Sequence, residues 1–316
     1  MNVTDHPDLE QMRPCLARDV ADTLGRIGEN HVITPHDSPA LVSDASLKLA
    51  AVSPSGKRIA FILVSPRCDP TQIARAMRLA ANIKEILGDR LGDAILTPLA
   101  EGHVLGLSYA ILPHCQPLRP ERRYLWRHRH LLRKAFILWL RNITQATAQP
   151  ITSEENIELF EKTLAHIESS PHVATPLRRE ANIAMRSLDR QLWRPRVVMA
   201  HCDLWLGNLM INPRYRRLHP SCGYPFVVID WGGGMLRGHP FFDLIRYAES
   251  TRFNTRHFKN EIKWHAHFLK CNPRESMAYL MAGLGQQGLH LGAFPVNEFS
   301  TMANSCHACL DHVLAD

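Results

Sequence analysis

Two apolar runs of strand length, Leu47 to Val52 and Arg58 to Val64, flank Ser53-Pro54-Ser55-Gly56, the pattern of a hairpin. Ile73, Met77, Ala80, Ala81, Ile83 and Ile86 or Leu87 then recur on one side, predicting a helix over Thr71 to Leu87 that starts beside Pro70 and ends at Gly88. Ala94 to Leu99 and Val104 to Leu112 read as further strands, and Pro113-His114-Cys115-Gln116-Pro117 as a connector. Beyond it the pattern changes. Leu125, Leu132, Phe136 and Trp139 recur at helical spacing, and the later helical stretches are interrupted by short strands at Arg196 to Ala200, Leu209 to Ile211 and Phe226 to Ile229. The expected class is α+β, with a small strand-rich unit over 1–113, a hinge at 114–118 and a larger, mainly helical unit over 119–316.

Composition narrows the class without naming a function. Apolar residues are 45% and charged residues 21%, a globular balance that argues against disorder or a coiled coil. No apolar run approaches the roughly 18 residues of a membrane span. The first ten residues carry neither a basic nor an apolar leader region, so the expected address is cytoplasmic. Eight scattered cysteines read as reduced thiols. Cys306 and Cys309 form the one CxxC, near His307 and His312; no second pair completes a zinc site, and an ordinary helix is the simpler reading.

Charge is more telling. The net balance is +7, and the stretch from Arg119 to Arg141 holds eight bases and one acid, which accounts for all of it. Its apolar period makes it an amphipathic helix with its bases turned outward. Either that face is simply solvated, or it makes a weak contact with an anionic substrate or membrane surface. No nucleic-acid motif accompanies it, so no nucleic-acid partner is expected.

The chemistry-bearing residues follow residue 195. A strand delivers His201-Cys202-Asp203-Leu204-Trp205-Leu206-Gly207-Asn208, and a later strand ends at Asp230-Trp231-Gly232. If the strands at 209–211 and 226–229 pair as an antiparallel hairpin, Asn208 and Asp230 become neighbours, with Asp203 at the same end. Two carboxylates and an amide oxygen are hard donors suited to Mg²⁺. Cys202 is expected to be an inert thiol, and Trp205 either lines a pocket or packs.

This ordered set resembles the aminoglycoside phosphotransferase and choline kinase-like family of small-molecule phosphotransferases, which share a two-lobed protein-kinase-like fold. The motif residues are His201, Asp203 and Asn208 in a His-x-Asp-x-x-x-x-Asn loop, Asp230 at a strand end, and Gly238-x-Pro240-x-x-Asp243-Leu244 beyond it. The resemblance is specific over 197–247. It implies an ATP-dependent transfer of the γ-phosphate to a hydroxyl of a small-molecule acceptor. Asp203 would take or orient the hydroxyl proton, Asn208 and Asp230 would hold Mg²⁺ on the ATP phosphates, and His201 and Asp243 would support the loop. The backbone near Leu112–Cys115 would receive the nucleotide.

The first unit departs from that family. A lysine at the end of the third strand and a glutamate on the next helix would anchor the phosphates. Here the position falls near Val64, followed by Ser65-Pro66-Arg67, and the helix offers Arg75 and Arg78 before Glu85. Lys48, Lys57 and Arg67 are the substitutes within reach. The loss of both partners leaves a second reading open, a pseudokinase-like binding or regulatory module. A third is a metal-dependent hydrolase using His201, Asp203 and Asp230, with His239 as an optional fourth residue. Gly283-x-Gly285-x-x-Gly288 matches a dinucleotide fingerprint in letters, but follows a helical stretch and is discounted, as is Gly56-Lys57-Arg58 for a P-loop.

Overall fold

The stripe Leu9, Met12, Leu16 and Val20 folds as helix α1 (Leu9–Thr23) in a computed structural model that describes residues 9–25, 31–36, 46–117, 122–151, 154–212, 223–292 and 294–315. Four buried apolar residues at spacings of three and four suffice to bury one helix face, even with Pro14 inside. That face covers one side of a five-stranded antiparallel sheet in the order β1-β2-β3-β5-β4, built from β1 (Val32–Pro35), β2 (Leu47–Val52), β3 (Arg58–Val64), β4 (Ala100–Val104) and β5 (Leu107–Pro113). Helix α2 (Gln72–Gly92) covers the other side through Ile73 and Met77, packed on Ala110 and Leu112. With both faces covered, β5 is buried almost throughout and reads as one apolar run.

Two expected elements differ. Val104 to Leu112 is not one strand: Leu105 turns left-handed at φ 50° and the run splits into β4 and β5. Ala94 to Leu99 is not a strand either; Ile95 makes a single parallel bridge to Val228, closed by Val228 N–H on the Ala94 carbonyl at 2.6 Å and Leu96 N–H on the Val228 carbonyl at 3.1 Å. The helix expected to end at Gly88 kinks there and continues to Gly92.

The chain divides into two compact units, Met1–Pro117 with Met210–Gly232, and Leu118–Leu209 with Gly233–Asp316. The first therefore also holds a small sheet in the order β10-β9-β6, from β6 (Gln116–Pro117), β9 (Leu209–Ile211) and β10 (Phe226–Val228). The second is built on α3 (Arg122–Thr147), α4 (Glu154–Ser169), α5 (Thr175–Asp189), α6 (Phe242–Thr251), α7 (Thr255–Leu269), α8 (Glu275–Leu289) and α9 (Val296–Ala315), with a sheet of β11 (Met235–Gly238), β8 (Arg196–Ala200) and β7 (Gln149–Pro150).

The glycines discounted as a dinucleotide fingerprint lie inside α8. A Cβ at Gly285 would collide with the Thr163 carbonyl, so the residue is small because α4 and α8 approach closely there. Of the basic stretch, Arg119 lies outside the described residues and α3 side chains are described from Leu132 onward. Two bases there are not turned outward: Arg141 makes a bidentate pair with Glu261 at 2.8 and 2.9 Å and lies over Trp264, and Arg133 lies over Phe253. No helix of the described residues is long and apolar enough to cross a membrane.

Candidate active site

In the second unit, β8 ends at Ala200 and the loop 201–206 that follows is held by one face of α6. Asp243, in the first turn of α6, accepts the His201 amide at 2.6 Å and the Cys202 amide at 2.9 Å. One turn on, Arg246 donates to the Asp203 carboxylate at 3.1 Å, and a further turn on Ser250 accepts the Leu206 amide at 3.1 Å. Positions i, i+3 and i+7 of a helix share a face, so α6 grips the loop at three successive points. Asp243 and Arg246 make the grip with charged groups, whose hydrogen bonds are the stronger kind.

Inside the loop, the Asp203 amide donates to His201 Nδ1 at 3.3 Å, and the buried His201 ring therefore shapes the turn. Asn208 Nδ2 donates to the Asp203 carbonyl at 2.8 Å and to its carboxylate at 3.3 Å. The structure thus joins His201, Asp203, Asn208 and Asp243 in one network. Arg246 and Ser250 complete it; sequence reasoning missed both, although their helical spacing from Asp243 was the available signal.

Electrostatics separates the roles. Burial raises Asp243 above the usual carboxylate range, against the lowering effect of His201 and the two amides. Burial first, then Asp243 and Asp203, pushes the Cys202 thiol well up, which leaves it protonated and unreactive. Cys202 also takes a left-handed backbone, φ 66°, as does Phe241 at the entry to α6. His239 is buried edge-on against Phe160 at 4.7 Å, held down to about 4 by desolvation, and neither ring nitrogen has a partner among the described residues. It is buried beside the aromatic core, away from solvent, so the hydrolase reading loses its optional fourth residue. Among the described residues no group of three His, Cys, Asp or Glu could hold a metal, and Cys306 is buried in α9 with its thiol pushed up to about 12 by burial.

In the first unit, Asp230 is exposed two residues after β10, in the left-handed region at φ 63°. Aspartate tolerates that conformation better than most side chains, and buried Trp231 follows, its Nε1 donating to the Val228 carbonyl at 3.2 Å. The end of β3 carries no cation. Val64 is buried, and Ser65 accepts the Ile73 amide at 3.0 Å while pairing with Ser108, so this strand end is spent on starting α2. Lys48 lies opposite Leu63 in the sheet; Lys57, in the β2–β3 turn, and Arg67 are exposed. Leu112 and Pro113 belong to β5, and His114 and Cys115 link it to β6. Burial, then the charges of Arg58, His36 and Lys57, holds His114 below its usual range. Arg58 and His36 therefore join Lys57 as basic groups around His114, a grouping that sequence reasoning did not single out.

No protein-family model matches the chain, and no curated protein matches its sequence. Solved structures do. A thermostable mutant of aminoglycoside phosphotransferase APH(4)-Ia, in a ternary complex with ADP and hygromycin B, aligns at TM-score 0.56 and 13% identity over 94% of this chain and 98% of that one. The choline kinase LicA from Streptococcus pneumoniae aligns at 0.56 and 12%, over 97% and 100%. A putative fructosamine-3-kinase from Haemophilus somnus 129PT aligns at 0.52 and 11%, over 96% and 99%. The chain has the protein-kinase-like fold of these small-molecule kinases, and the resemblance carried by the motif holds at the level of the fold.

Proposed function

We propose that the protein is an ATP-dependent phosphotransferase that moves the γ-phosphate to a hydroxyl of a small-molecule acceptor. The observation that carries this reading is the grip of α6 on the loop 201–206, which presents the partly exposed Asp203 carboxylate next to a fixed Asn208 amide. Phosphoryl transfer leaves a protein little covalent work, so a rigid, oriented carboxylate is the contribution this chemistry needs.

In the proposed reaction the acceptor oxygen attacks the γ-phosphorus in line as the bond to the ADP oxygen breaks. Asp203 takes the hydroxyl proton and later releases it to water. Asn208 and Asp230 are the proposed Mg²⁺ ligands. Their chemistry fits: Asn208 spends its NH₂ on Asp203, which leaves its carbonyl oxygen as a donor, and Asp230 offers an exposed carboxylate. Mg²⁺, when bound, would neutralise developing phosphate charge. Nucleotide binding is supported by relatives of the same fold crystallised with ADP, AMP and AMP-PNP. The nucleotide side is assigned to the first unit, at the backbone of Leu112–Cys115 with Lys48, Lys57 and Arg67 as phosphate cations.

The cation-free end of β3 favours a second reading, a binding module without transfer. A panel of hydroxyl acceptors incubated with Mg²⁺-ATP and followed by phosphorus NMR separates the two. A new phosphate-ester resonance together with ADP is expected; nucleotide binding with neither product would replace the first reading by the second.

A further inference from the structure

Helices α3 and α7 meet in the second unit and hold a single acidic residue between them, Glu261 of α7, because α3 contains none. Glu261 is buried and spent on Arg141. The bases of α7 are disposed the other way. Arg256, Lys259, Lys263 and the capping Lys270 recur at intervals of three, four and seven residues, which gathers them on the outward face, while Phe258, Ile262, His265 and Leu269 fill the inward one. None of those four bases makes an ion pair among the described residues. Apolar groups lie among the charges. Leu138 is 52% exposed on α3, one turn after exposed Lys134 and one turn before Arg141. Trp264 and Phe268, one turn apart on α7, are half-buried with parallel rings, and the Arg141 guanidinium lies over the indole at 4.7 Å.

We infer that the outer face of α7, together with Lys134 and Leu138 of α3, docks on the surface of a membrane rich in anionic lipid. An exposed leucine or a row of bases is ordinary by itself. Their combination on one face, with no exposed acid on either helix, complements a lipid surface: the cations meet lipid phosphates while leucine and aromatic rings settle at the boundary of head groups and acyl chains. Nucleic acid would take aromatic faces for base stacking, and Arg141 already covers one face of the indole. No helix of the described residues is long and apolar enough to span, so the attachment is peripheral, reversible and weakened by salt. The membrane contact expected of the basic stretch ending at Arg141 thereby moves to its neighbour. Arg133 and Arg141 are used in packing, and α7 supplies most of the charge. The contact does not depend on whether the protein transfers phosphate.

The test is co-sedimentation of the full chain with vesicles of phosphatidylcholine alone and of phosphatidylcholine mixed with phosphatidylglycerol, at low and at high salt, beside a gel-shift assay with a mixed-sequence oligonucleotide. Binding to the anionic vesicles alone, lost at high salt, is expected. Lys259→Glu/Lys263→Glu lowers that binding at least about tenfold, whereas Arg179→Glu/Arg186→Glu, which changes the net charge equally on exposed positions of α5, lowers it less than about threefold. Leu138→Ser lowers it about threefold and leaves its salt dependence unchanged. Thermal melting of each variant checks that it folds. Failure to bind anionic vesicles, or equal losses in the two charge-reversal variants, overturns the docking face. Retention by the oligonucleotide and not by the vesicles overturns it as well and gives the face to nucleic acid.

Discussion

His239 and His265 line a cavity of about 20 Å³ together with Thr144 and Asp243, close to where Asp243 holds the loop. Burial holds His239 down to about 4; burial and then the Arg141 charge hold His265 down to about 3. Both imidazoles are therefore neutral in the fold and protonate first in the unfolded chain. Between roughly pH 6.5 and these folded values the unfolded state binds more protons, so stability is complete above pH 6.5 and falls as pH drops through the window. Urea midpoints measured from pH 4 to pH 7 are expected to rise with pH. His239→Phe, which keeps the aromatic packing on Phe160, removes on the order of 3 kcal/mol of that dependence; an unchanged slope would contradict the burial of a neutral His239. At this scale the loop motif was legible because its chemistry is written in short, ordered spacings: His201, Asp203 and Asn208 lie within eight residues. Arg246 was missed: its spacing from Asp243 puts it on the same helix face, but its partner Asp203 lies 43 residues upstream and the pairing itself comes from the fold.

Helices and strands were legible where pattern and punctuation agreed. The bounds of β2, β3, β8 and β9 match the apolar runs that announced them, each stopped by Pro, Gly or a polar group. The β4–β5 hairpin was hidden because its left-handed turn starts on Leu105, a residue that normally extends an apolar run. Helix α1 carries a clear stripe, but Pro14 and a charged sequence obscured it. In α8 the glycines carry the opposite lesson, since their letters suggest a ligand while their cause is helix packing. Gly285→Val is expected to force α4 and α8 apart and lower stability by about 1–3 kcal/mol, read as a drop in melting temperature. A variant that melts like the parent would show that the two helices do not need their close approach.

For the whole molecule, basic side chains serve both structural and candidate functional uses. Arg133 and Arg141 serve the packing of α3 on its neighbours, and Arg246 serves the loop. Lys48, Lys57 and Arg67 are the proposed cations for phosphate in a first unit whose third strand ends at Val64 without one. Sequence could offer these three only as substitutes, because no spacing rule ties a cation outside the motif to a nucleotide. Everything proposed for the protein turns on Asp203 acting on a hydroxyl proton, and Asp203→Asn tests that directly, because it keeps the size of the side chain while removing the base. Mg²⁺-ATP affinity by calorimetry and acceptor-dependent ADP release by a coupled assay are measured on the same preparation. The expected result is affinity within about threefold of the parent with turnover reduced at least about a hundredfold, the usual scale for losing a general base; turnover that survives the substitution would contradict the assignment.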